Sequence, residues 1–181
     1  MDNYKVIDNL LTEEQSNLIE NTLIGENFPW FISGTIPTTP SIDNNNFWKT
    51  ETAETEKLFS HFFYDNLSVN SNYFNCIEPI IQLINPVSLM RIKANLQWKT
   101  DTNLRQGFHK DTLYDNLVGI YYVNTNNGKT LFEDGTEINS VKNRLLIFKG
   151  SSVHSGTTCT DKNFRCVINF LFYPSFNGIK L

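Results

Sequence analysis

Gly107-Phe108-His109-Lys110-Asp111 is the stretch from which the fold of this chain is predicted. Side chains at positions i and i+2 of a β-strand project from the same face, so His109 and Asp111 reach a common point if the stretch is a strand. His154, on a distant strand folded back over this pair, would add a second imidazole. Two nitrogens and one carboxylate oxygen would then lie on one side of a divalent metal ion.

The sequence around this stretch predicts a mainly β protein. Short apolar or alternating runs, bounded by turn residues, predict strands at 58–64, 88–98, 117–124, 130–132, 145–148, 153–156 and 164–173. Turns are predicted at Asn126-Asn127-Gly128 and at Asp134-Gly135. About eight strands with flanking helices predict a double-stranded β-helix, that is, a jelly-roll or cupin-like barrel.

The N-terminal part predicts helices and one long loop. A short strand is expected at 6–7 and an edge strand at 28–32. A first helix is expected to start with the capping box Thr12-Glu13-Glu14-Gln15 and to end at Gly25. A second helix is expected over 77–84 and should stop at Asn85-Pro86. The loop at 33–46 is either a lid over a site or a surface excursion. His61, between aromatic residues, is expected to pack rather than to bind metal. We expect a single domain, 1–181, with a barrel core at about 88–175 and a helical support at 1–87.

Composition excludes several classes of function. With 181 residues and a formal net charge of -4, the chain is not suited to broad electrostatic binding of nucleic acid or of an anionic membrane. Its apolar runs are too short to span a bilayer, and its N-terminus lacks the pattern of a signal peptide. The three cysteines form neither a disulfide framework nor a metal clip, which favours reduced thiols in a cytoplasmic protein.

A chemistry follows from the three candidate ligands and one arginine. Two nitrogens and one carboxylate are the ligand set of non-haem Fe(II) oxygenases, and three positions on iron stay open. Two of these positions can chelate a 2-oxo acid and the last can take dioxygen. The far carboxylate of 2-oxoglutarate needs a buried cation, which Arg165, eleven residues past His154, can supply. Tyr122 can add a hydroxyl, although a packing role for Tyr122 and a surface position for Arg165 remain open.

The order His-x-Asp, His, Arg, embedded in 119–124 and 127–132, resembles the Fe(II)/2-oxoglutarate-dependent oxygenases. It is most similar to the prolyl-4-hydroxylase-like branch and to small phage-encoded members of that branch, from about Met90 to Tyr173. The resemblance implies a role as iron ligands and catalytic residues for His109, Asp111 and His154. It implies that Arg165 and Tyr122 bind 2-oxoglutarate, that dioxygen is a cosubstrate, and that ascorbate supports turnover. Asn95 stands where the family often has a tyrosine near the cosubstrate, and we assign it to cosubstrate binding together with Arg165 and Tyr122. Val167 stands where the family often has a serine.

We therefore expect a hydroxylase that converts 2-oxoglutarate and dioxygen to succinate and carbon dioxide while it oxidises a C–H bond. Its substrate would be a peptide, as in prolyl hydroxylation, or a small molecule. Two alternatives stay open. One is a cupin-like isomerase or hydrolase that needs no 2-oxoglutarate, and the other is a non-enzymatic jelly-roll binding module.

Candidate substrate residues come from two alternating strands. Over 88–98 the polar face, which carries Arg91, Lys93, Asn95 and Gln97, either faces water or lines a pocket, and Asn169 shares a face with Arg165. Arg91 and Asn169 are the residues that we assign to substrate. Between positions 91 and 110 the sequence has one acidic residue, Asp101, and five basic residues, namely Arg91, Lys93, Lys99, Arg105 and Lys110. They suggest either a positive pocket rim for an anionic small molecule or acidic peptide, or ordinary solvated strand edges.

Overall fold

The computed structural model describes residues 4–33, 58–179 and 181, and it contains eleven strands and two α-helices in these ranges. The helices are α1 (Glu13–Leu23) and α2 (Glu78–Ile84), with a 3-10 turn (Phe74–Ile77) before α2. The strands are β1 (Tyr4–Ile7), β2 (Phe31–Ser33), β3 (Leu58–Asp65), β4 (Ser68–Val69), β5 (Pro86–Trp98), β6 (Leu117–Tyr122), β7 (Lys129–Phe132), β8 (Glu137–Asn139), β9 (Arg144–Lys149), β10 (His154–Gly156) and β11 (Phe164–Pro174). The expected loop at 33–46, apart from Ser33, lies outside the described residues.

The strands form two antiparallel sheets that pack on each other. The large sheet has the order β1-β9-β6-β11-β5-β3-β2, with β4 paired to β3, and the small sheet has the order β10-β7-β8. Phe132 and Ile138 of the small sheet join Val118, Leu146 and other residues of the large sheet in one buried cluster. This is the jelly-roll arrangement, and the predicted fold class is confirmed.

A second, larger core lies on the other face of the large sheet. There Ile19 and Leu23 of α1 and Ile80 of α2 pack with Tyr121 and Phe170 of the central strands. Full burial of such a side chain stabilises the fold by roughly 1.5–3 kcal/mol. Because β6 is covered on both faces, all six of its residues are buried, and its sequence is an unbroken apolar run. Neither of the two described helices is long and apolar enough to cross a membrane.

The helix boundaries follow the predicted signals. Thr12 accepts a hydrogen bond from the backbone N–H of Gln15 at 3.2 Å, and the Gln15 side chain accepts one from the Thr12 N–H at 3.1 Å, which completes the capping box. After α1, a Cβ on Gly25 would lie 2.6 Å from the carbonyl oxygen of Asn21, so the close approach requires glycine. Asn85 ends α2 in the left-handed region at φ 47°.

The structure corrects two expectations about strands. The stretch with His109 and Asp111 is not a strand, because His109 forms only an isolated antiparallel bridge with His154. The pairing does not continue, since the backbone N–H of Ser152 donates instead to the Lys149 carbonyl in a tight turn. The N-terminal part also supplies more than helical support, because β1, β2 and β3 all belong to the large sheet. The edge strand expected at 28–32 is found at Phe31–Ser33, and among the described strands it pairs with β3 alone.

His61 packs among aromatic rings, as expected. Its ring lies 4.4 Å from that of Phe28 and 4.9 Å from that of Phe63. Its Nδ1 is 2.9 Å from the Pro29 carbonyl oxygen, which can only accept, so Nδ1 carries a proton. Nε2 lies 2.7 Å from the Ser71 hydroxyl, which donates to it when the ring is neutral. Burial holds the pKa of His61 below its ordinary value, and the Pro29 carbonyl opposes this shift.

We predict that the free energy of unfolding falls as the pH drops below about 6.5, the ordinary histidine pKa. Unfolded chains bind a proton at His61 in that range, whereas the folded chain does not until a lower pH, so protons favour unfolding. In His61→Gln the contribution of His61 to the pH dependence of the free energy of unfolding should disappear. Buried His154, whose pKa is also lowered, still contributes to this dependence in the same direction. Denaturant titrations of the metal-free protein at pH 8, 7, 6 and 5.5 measure the slope. An equal slope in both proteins would contradict the prediction.

Candidate functional site

Three side chains converge at one edge of the small sheet. His109, Asp111 and His154 each offer one ligand atom, and these atoms all lie within 4.8 Å of one another. The bridge that joins the two histidine backbones brings the rings together, with N–H to O distances of 2.9 and 3.0 Å. Asp111 Oδ2 then lies 3.6 Å from His154 Nε2. The three residues could hold one metal ion, although His109 and Asp111 reach this geometry from a bridge and a bend rather than from a strand.

The second ring nitrogen of each histidine is bound to a backbone carbonyl. His109 Nδ1 lies 3.1 Å from the Gly107 oxygen, and His154 Nδ1 lies 3.1 Å from the Ser152 oxygen. A carbonyl oxygen only accepts, so both Nδ1 atoms carry a proton and both Nε2 lone pairs are free. Protein metal sites use this arrangement to fix the ring orientation and the tautomer of histidine ligands.

Burial also keeps His154 ready for a metal. It is 3% exposed, and its ring packs edge-on against Phe148 at 4.7 Å. Burial lowers the pKa of His154, and the neighbouring Asp111 carboxylate opposes this effect. The imidazole is therefore neutral near pH 7, as a metal ligand must be.

Arg165 lies in the same cavity and is buried. It is 5% exposed, and its guanidinium donates from Nε to the Ser140 hydroxyl at 2.9 Å and from Nη2 to the Thr130 hydroxyl at 3.2 Å. No carboxylate of the described residues pairs with it, and burial lowers its pKa. A guanidinium nevertheless stays charged near neutral pH, so Arg165 is a buried cation that lacks an anion.

Tyr122 supports this cation from behind. Its ring lies 5.7 Å from the Arg165 guanidinium, and its hydroxyl donates to Thr130 Oγ1 at 2.8 Å. Tyr122 is fully buried and is not among the described residues that line the cavity. Burial raises its pKa, so the hydroxyl keeps its proton. Because Thr130 Oγ1 already accepts two bonds, the proton of its own hydroxyl is free to donate into the cavity.

The cavity has a volume of about 280 Å³, and the described residues that line it include the three candidate ligands, Arg165 and Thr130, but neither Tyr122 nor Ser140. Its wall includes the polar face of β5, so of the two interpretations left open by the sequence, the structure favours the pocket for Arg91, Lys93, Asn95 and Gln97. Asn169 also lines it. Of the five basic residues expected at the rim, Arg91, Lys93 and Lys110 line the described part of the cavity, whereas Lys99 and Arg105 do not.

Arg91 contacts the candidate metal site. Its Nη2 lies 3.5 Å from Asp111 Oδ1, while the other oxygen of the same carboxylate faces His154. The two Asp111 oxygens therefore have separate neighbours. Arg91 is placed to orient the carboxylate through the oxygen that the metal does not need.

Sequence reasoning missed Thr130, Ser140 and Gly128. Alternation along β7 places Thr130 and Phe132 on the inner face, so a polar residue on an otherwise apolar face was the available signal for Thr130. Ser140 lies just past β8, and no pattern in the sequence points to it. A Cβ on Gly128 would lie 2.6 Å from Arg165 Cδ, which is a close approach that only the structure reveals.

We predict that Gly128→Ala weakens the binding of an anion at Arg165. The new methyl group would also lie 2.9 Å from the backbone oxygen of Thr158, so the flexible Arg165 side chain must give way. The dissociation constant for 2-oxoglutarate, the cosubstrate expected from the sequence, should rise roughly tenfold, which corresponds to about 1.4 kcal/mol. Gly119→Ala is the matched control, because its Cβ would meet its nearest neighbour at an ordinary 3.4 Å. Calorimetric titration measures both variants, and equal dissociation constants would contradict the predicted contact.

Comparison with known proteins shows a shared fold. No protein-family model matches the sequence, and no curated protein is similar enough to count as a match. Among solved structures, a prolyl hydroxylase from Trichoplax adhaerens, in complex with a hypoxia inducible factor peptide fragment, has a TM-score of 0.66 and 12% identity, over 95% of this chain and 84% of that chain.

Two further structures show the same likeness. The non-haem alpha ketoglutarate dependent epimerase SnoN, from nogalamycin biosynthesis, has a TM-score of 0.63 and 11% identity, over 97% of this chain and 82% of its own. An oxidoreductase of the 2OG-Fe(II) oxygenase family, from Burkholderia pseudomallei, has a TM-score of 0.64 and 10% identity, over 98% of this chain and 88% of its own. At such low identity the likeness establishes the jelly-roll fold, and the function must be argued from the site.

Proposed function

We propose that this chain is an Fe(II)- and 2-oxoglutarate-dependent oxygenase. The observation that carries the proposal is Arg165, a buried cation with no carboxylate partner among the described residues, which opens onto the same cavity as the three candidate metal ligands. Leaving a buried charge without a partner costs several kcal/mol. A dicarboxylate that also binds the metal would remove this cost.

The residues present fit a ferrous ion. His109 and His154 offer free Nε2 lone pairs, and Asp111 offers one oxygen, which is the set of two histidines and one carboxylate typical of non-haem iron sites. When bound, iron would activate dioxygen, which is the oxidant, and 2-oxoglutarate would supply two of the four electrons that dioxygen takes up, the other two coming from the C–H bond. The ring orientations are held by the Gly107 and Ser152 carbonyls, so the ligand atoms are arranged before the metal arrives.

The residues present also fit the far carboxylate of 2-oxoglutarate. Arg165 offers charge and a planar set of donors, and Thr130 offers the free proton of its hydroxyl. We propose that Tyr122 contributes through Thr130 and that Ser140 holds the guanidinium at its Nε. Asn95, further along the wall, is proposed to contact the cosubstrate or the compound that reacts with it.

We propose that the reaction is the hydroxylation of a C–H bond, with release of succinate and carbon dioxide and with ascorbate in support of turnover. The whole chain is proposed to act as one oxygenase domain. One structural neighbour is a prolyl hydroxylase in complex with a peptide fragment, and another is an epimerase from nogalamycin biosynthesis, which supports either a peptide or a small molecule as the substrate.

Succinate formation tests this function. Purified metal-free protein, with Fe(II), 2-oxoglutarate and air, should form succinate slowly even without a second substrate. Omission of iron or dioxygen should stop the reaction. A chain that binds iron but releases no succinate would contradict the proposal and favour a cupin-like enzyme of another class. A chain that binds no metal would favour a non-enzymatic jelly-roll module.

A further inference from the structure

The wall of the cavity continues past Arg165 along β5 and β11 and carries further polar groups. Asn169 is four residues from Arg165 on the same face of β11, which places it about 13 Å along the strand. Lys93 is the cross-strand partner of Asn169. The carbon chain of 2-oxoglutarate has four C–C bonds of about 1.5 Å, so it spans at most about 6 Å. A ligand of this length, with one carboxylate on Arg165, is shorter than the wall and would leave Lys93 and Asn169 for a second ligand.

Unpartnered buried atoms are concentrated on this wall. Arg91 Nε, Asn95 Oδ1 and Asn169 Oδ1 are buried and have no hydrogen-bond partner in the described part of the chain. All three residues line the cavity, whereas the two other residues with such atoms, Asn116 and Ser175, do not. A buried polar group without a hydrogen-bond partner destabilises the protein. An amide that is turned over presents its nitrogen instead, so either orientation requires a polar ligand.

The charge of the wall indicates the sign of that ligand. Of the described residues that line the cavity, Arg91, Lys93, Lys110 and Arg165 are cationic, and Asp111 is the one carboxylate. Ferrous iron and 2-oxoglutarate carry equal and opposite charges, so their binding leaves the surplus of cations unchanged. The remaining space therefore favours an anion.

Lys93 is the cation best placed to take it. Its Nζ lies 5.7 Å from the centroid of the Phe62 ring, and no carboxylate of the described residues pairs with it. Burial and the charge of Arg91 both lower the pKa of Lys93. An anion between Lys93 and Arg91 would offset their repulsion.

We propose, building on the oxygenase function above, that the second ligand of this cavity is a small hydroxylated organic anion. Its carboxylate or phosphate contacts Arg91 and Lys93, and its hydroxyl groups donate to Asn95 and Asn169. An amino acid fits less well, because its ammonium group meets the surplus of cations. The acidic side chain of a peptide fits less well too, because it carries methylene groups, and no donor, beside its carboxylate.

Calorimetry on the loaded protein tests this class. Protein with Mn(II) in place of iron is saturated with 2-oxoglutarate under argon and titrated with D-glycerate, glycerol 3-phosphate, ethyl phosphate and a capped glutamate peptide. We expect D-glycerate or glycerol 3-phosphate to bind more tightly than ethyl phosphate, which lacks hydroxyl groups, and than the peptide. The better of the first two identifies the anionic group as carboxylate or phosphate.

Variants locate the binding site. Lys93→Met, which keeps the length of the side chain without its charge, should weaken this binding by about tenfold, as loss of a charged hydrogen bond does. Asn169→Leu should reduce the preference for the hydroxylated probe over ethyl phosphate. Lys99→Met is the control, since Lys99 lies just past β5 and is not among the described cavity residues. Unchanged melting temperatures verify that the variants are folded.

The outcomes separate this inference from the proposed function. If 2-oxoglutarate binds but neither hydroxylated probe does, or if Lys93→Met binds them as well as the wild type, the inference is overturned and the oxygenase proposal stands. Tightest binding of the peptide overturns the small-molecule class. Displacement of the probes by 2-oxoglutarate also overturns the inference, because the anion would then occupy the Arg165 end. If the metal-loaded protein fails to bind 2-oxoglutarate, the oxygenase proposal itself fails.

Discussion

Arg165→Met is expected to raise the KM for 2-oxoglutarate at least about a hundredfold, which corresponds to about 2.7 kcal/mol. Two hydrogen bonds between a guanidinium and a carboxylate contribute roughly 1.5–3 kcal/mol each in a buried site. Methionine fills much of the same volume but offers neither charge nor donors. Succinate formation at increasing 2-oxoglutarate concentrations measures the change, and direct titration of the metal-loaded protein separates binding from turnover.

The same variant distinguishes a binding role from a structural one. Without cosubstrate, Arg165 is a buried charge that no carboxylate of the described residues balances, so its removal should leave the melting temperature unchanged or raise it. A purely structural arginine would lower it. Arg165→Lys keeps the charge but loses the planar pair of donors, and it should give an intermediate KM. Arg144→Met is the control, because Arg144 pairs with Asp8 away from the cavity. A normal KM in Arg165→Met would contradict the assignment of the cosubstrate site.

The strands of the barrel were predictable because their patterns record burial directly. Covered on both faces, β6 and β9 read as continuous apolar runs, whereas β5 alternates because one of its faces lines the cavity. The capping box before α1 and the turn at Gly135, with φ 87°, depend on a few neighbouring residues. Local signals of this kind survive folding because no distant contact competes with them.

The errors arise where tertiary contacts decide the local conformation. The two-residue spacing of His109 and Asp111 suggested a strand. In the turn around Gly150, however, the backbone N–H of Ser152 donates to the Lys149 carbonyl, so it is not available to pair with a strand at Asp111. The ligand set could still be proposed, because it needs convergence and not a particular secondary structure. The contact of Thr130 with Arg165, and the position of Tyr122 behind Arg165, depend on the packing of β7 against β11 and could not be predicted from the sequence. The series of hydrogen bonds from Tyr122 through Thr130 to Arg165 joins different strands, so the spacing of residues along one strand does not predict it.

The sequence could not predict whether the polar face of β5 is exposed to solvent or lines a pocket. Alternation defines two faces but does not say what covers each of them. The register between β5 and β11 aligns Asn95 with Val167 and Lys93 with Asn169, and this places the polar face of β5 next to the face of β11 that carries Arg165. The outcome was set by sheet pairing, which joins residues about 70 positions apart.

Asp111→Ala is expected to weaken metal binding by about a hundredfold or more, or about 2.7 kcal/mol, and to abolish succinate formation. The two histidines alone provide neutral ligands, so the variant loses both an oxygen donor and the only carboxylate of the described cavity residues. Arg91, which now lies 3.5 Å from Asp111, would then face the metal without a balancing charge, and this repulsion adds to the loss.

Calorimetric titration of the metal-free variant with Mn(II) measures the effect on metal affinity, and anaerobic titration avoids oxidation when Fe(II) is used. Asp115→Asn is the matched control, because it removes an exposed carboxylate four residues further on without changing the candidate ligands. Asp111→Glu should retain part of the affinity, since it keeps the donor but moves the oxygen by the length of one methylene. Metal binding by Asp111→Ala that equals the binding by Asp115→Asn would mean that the two histidines and Asp111 do not share one ion. In that case the convergence of their ligand atoms within 4.8 Å would serve packing alone, and the reason to assign oxygen chemistry to this cavity would be lost.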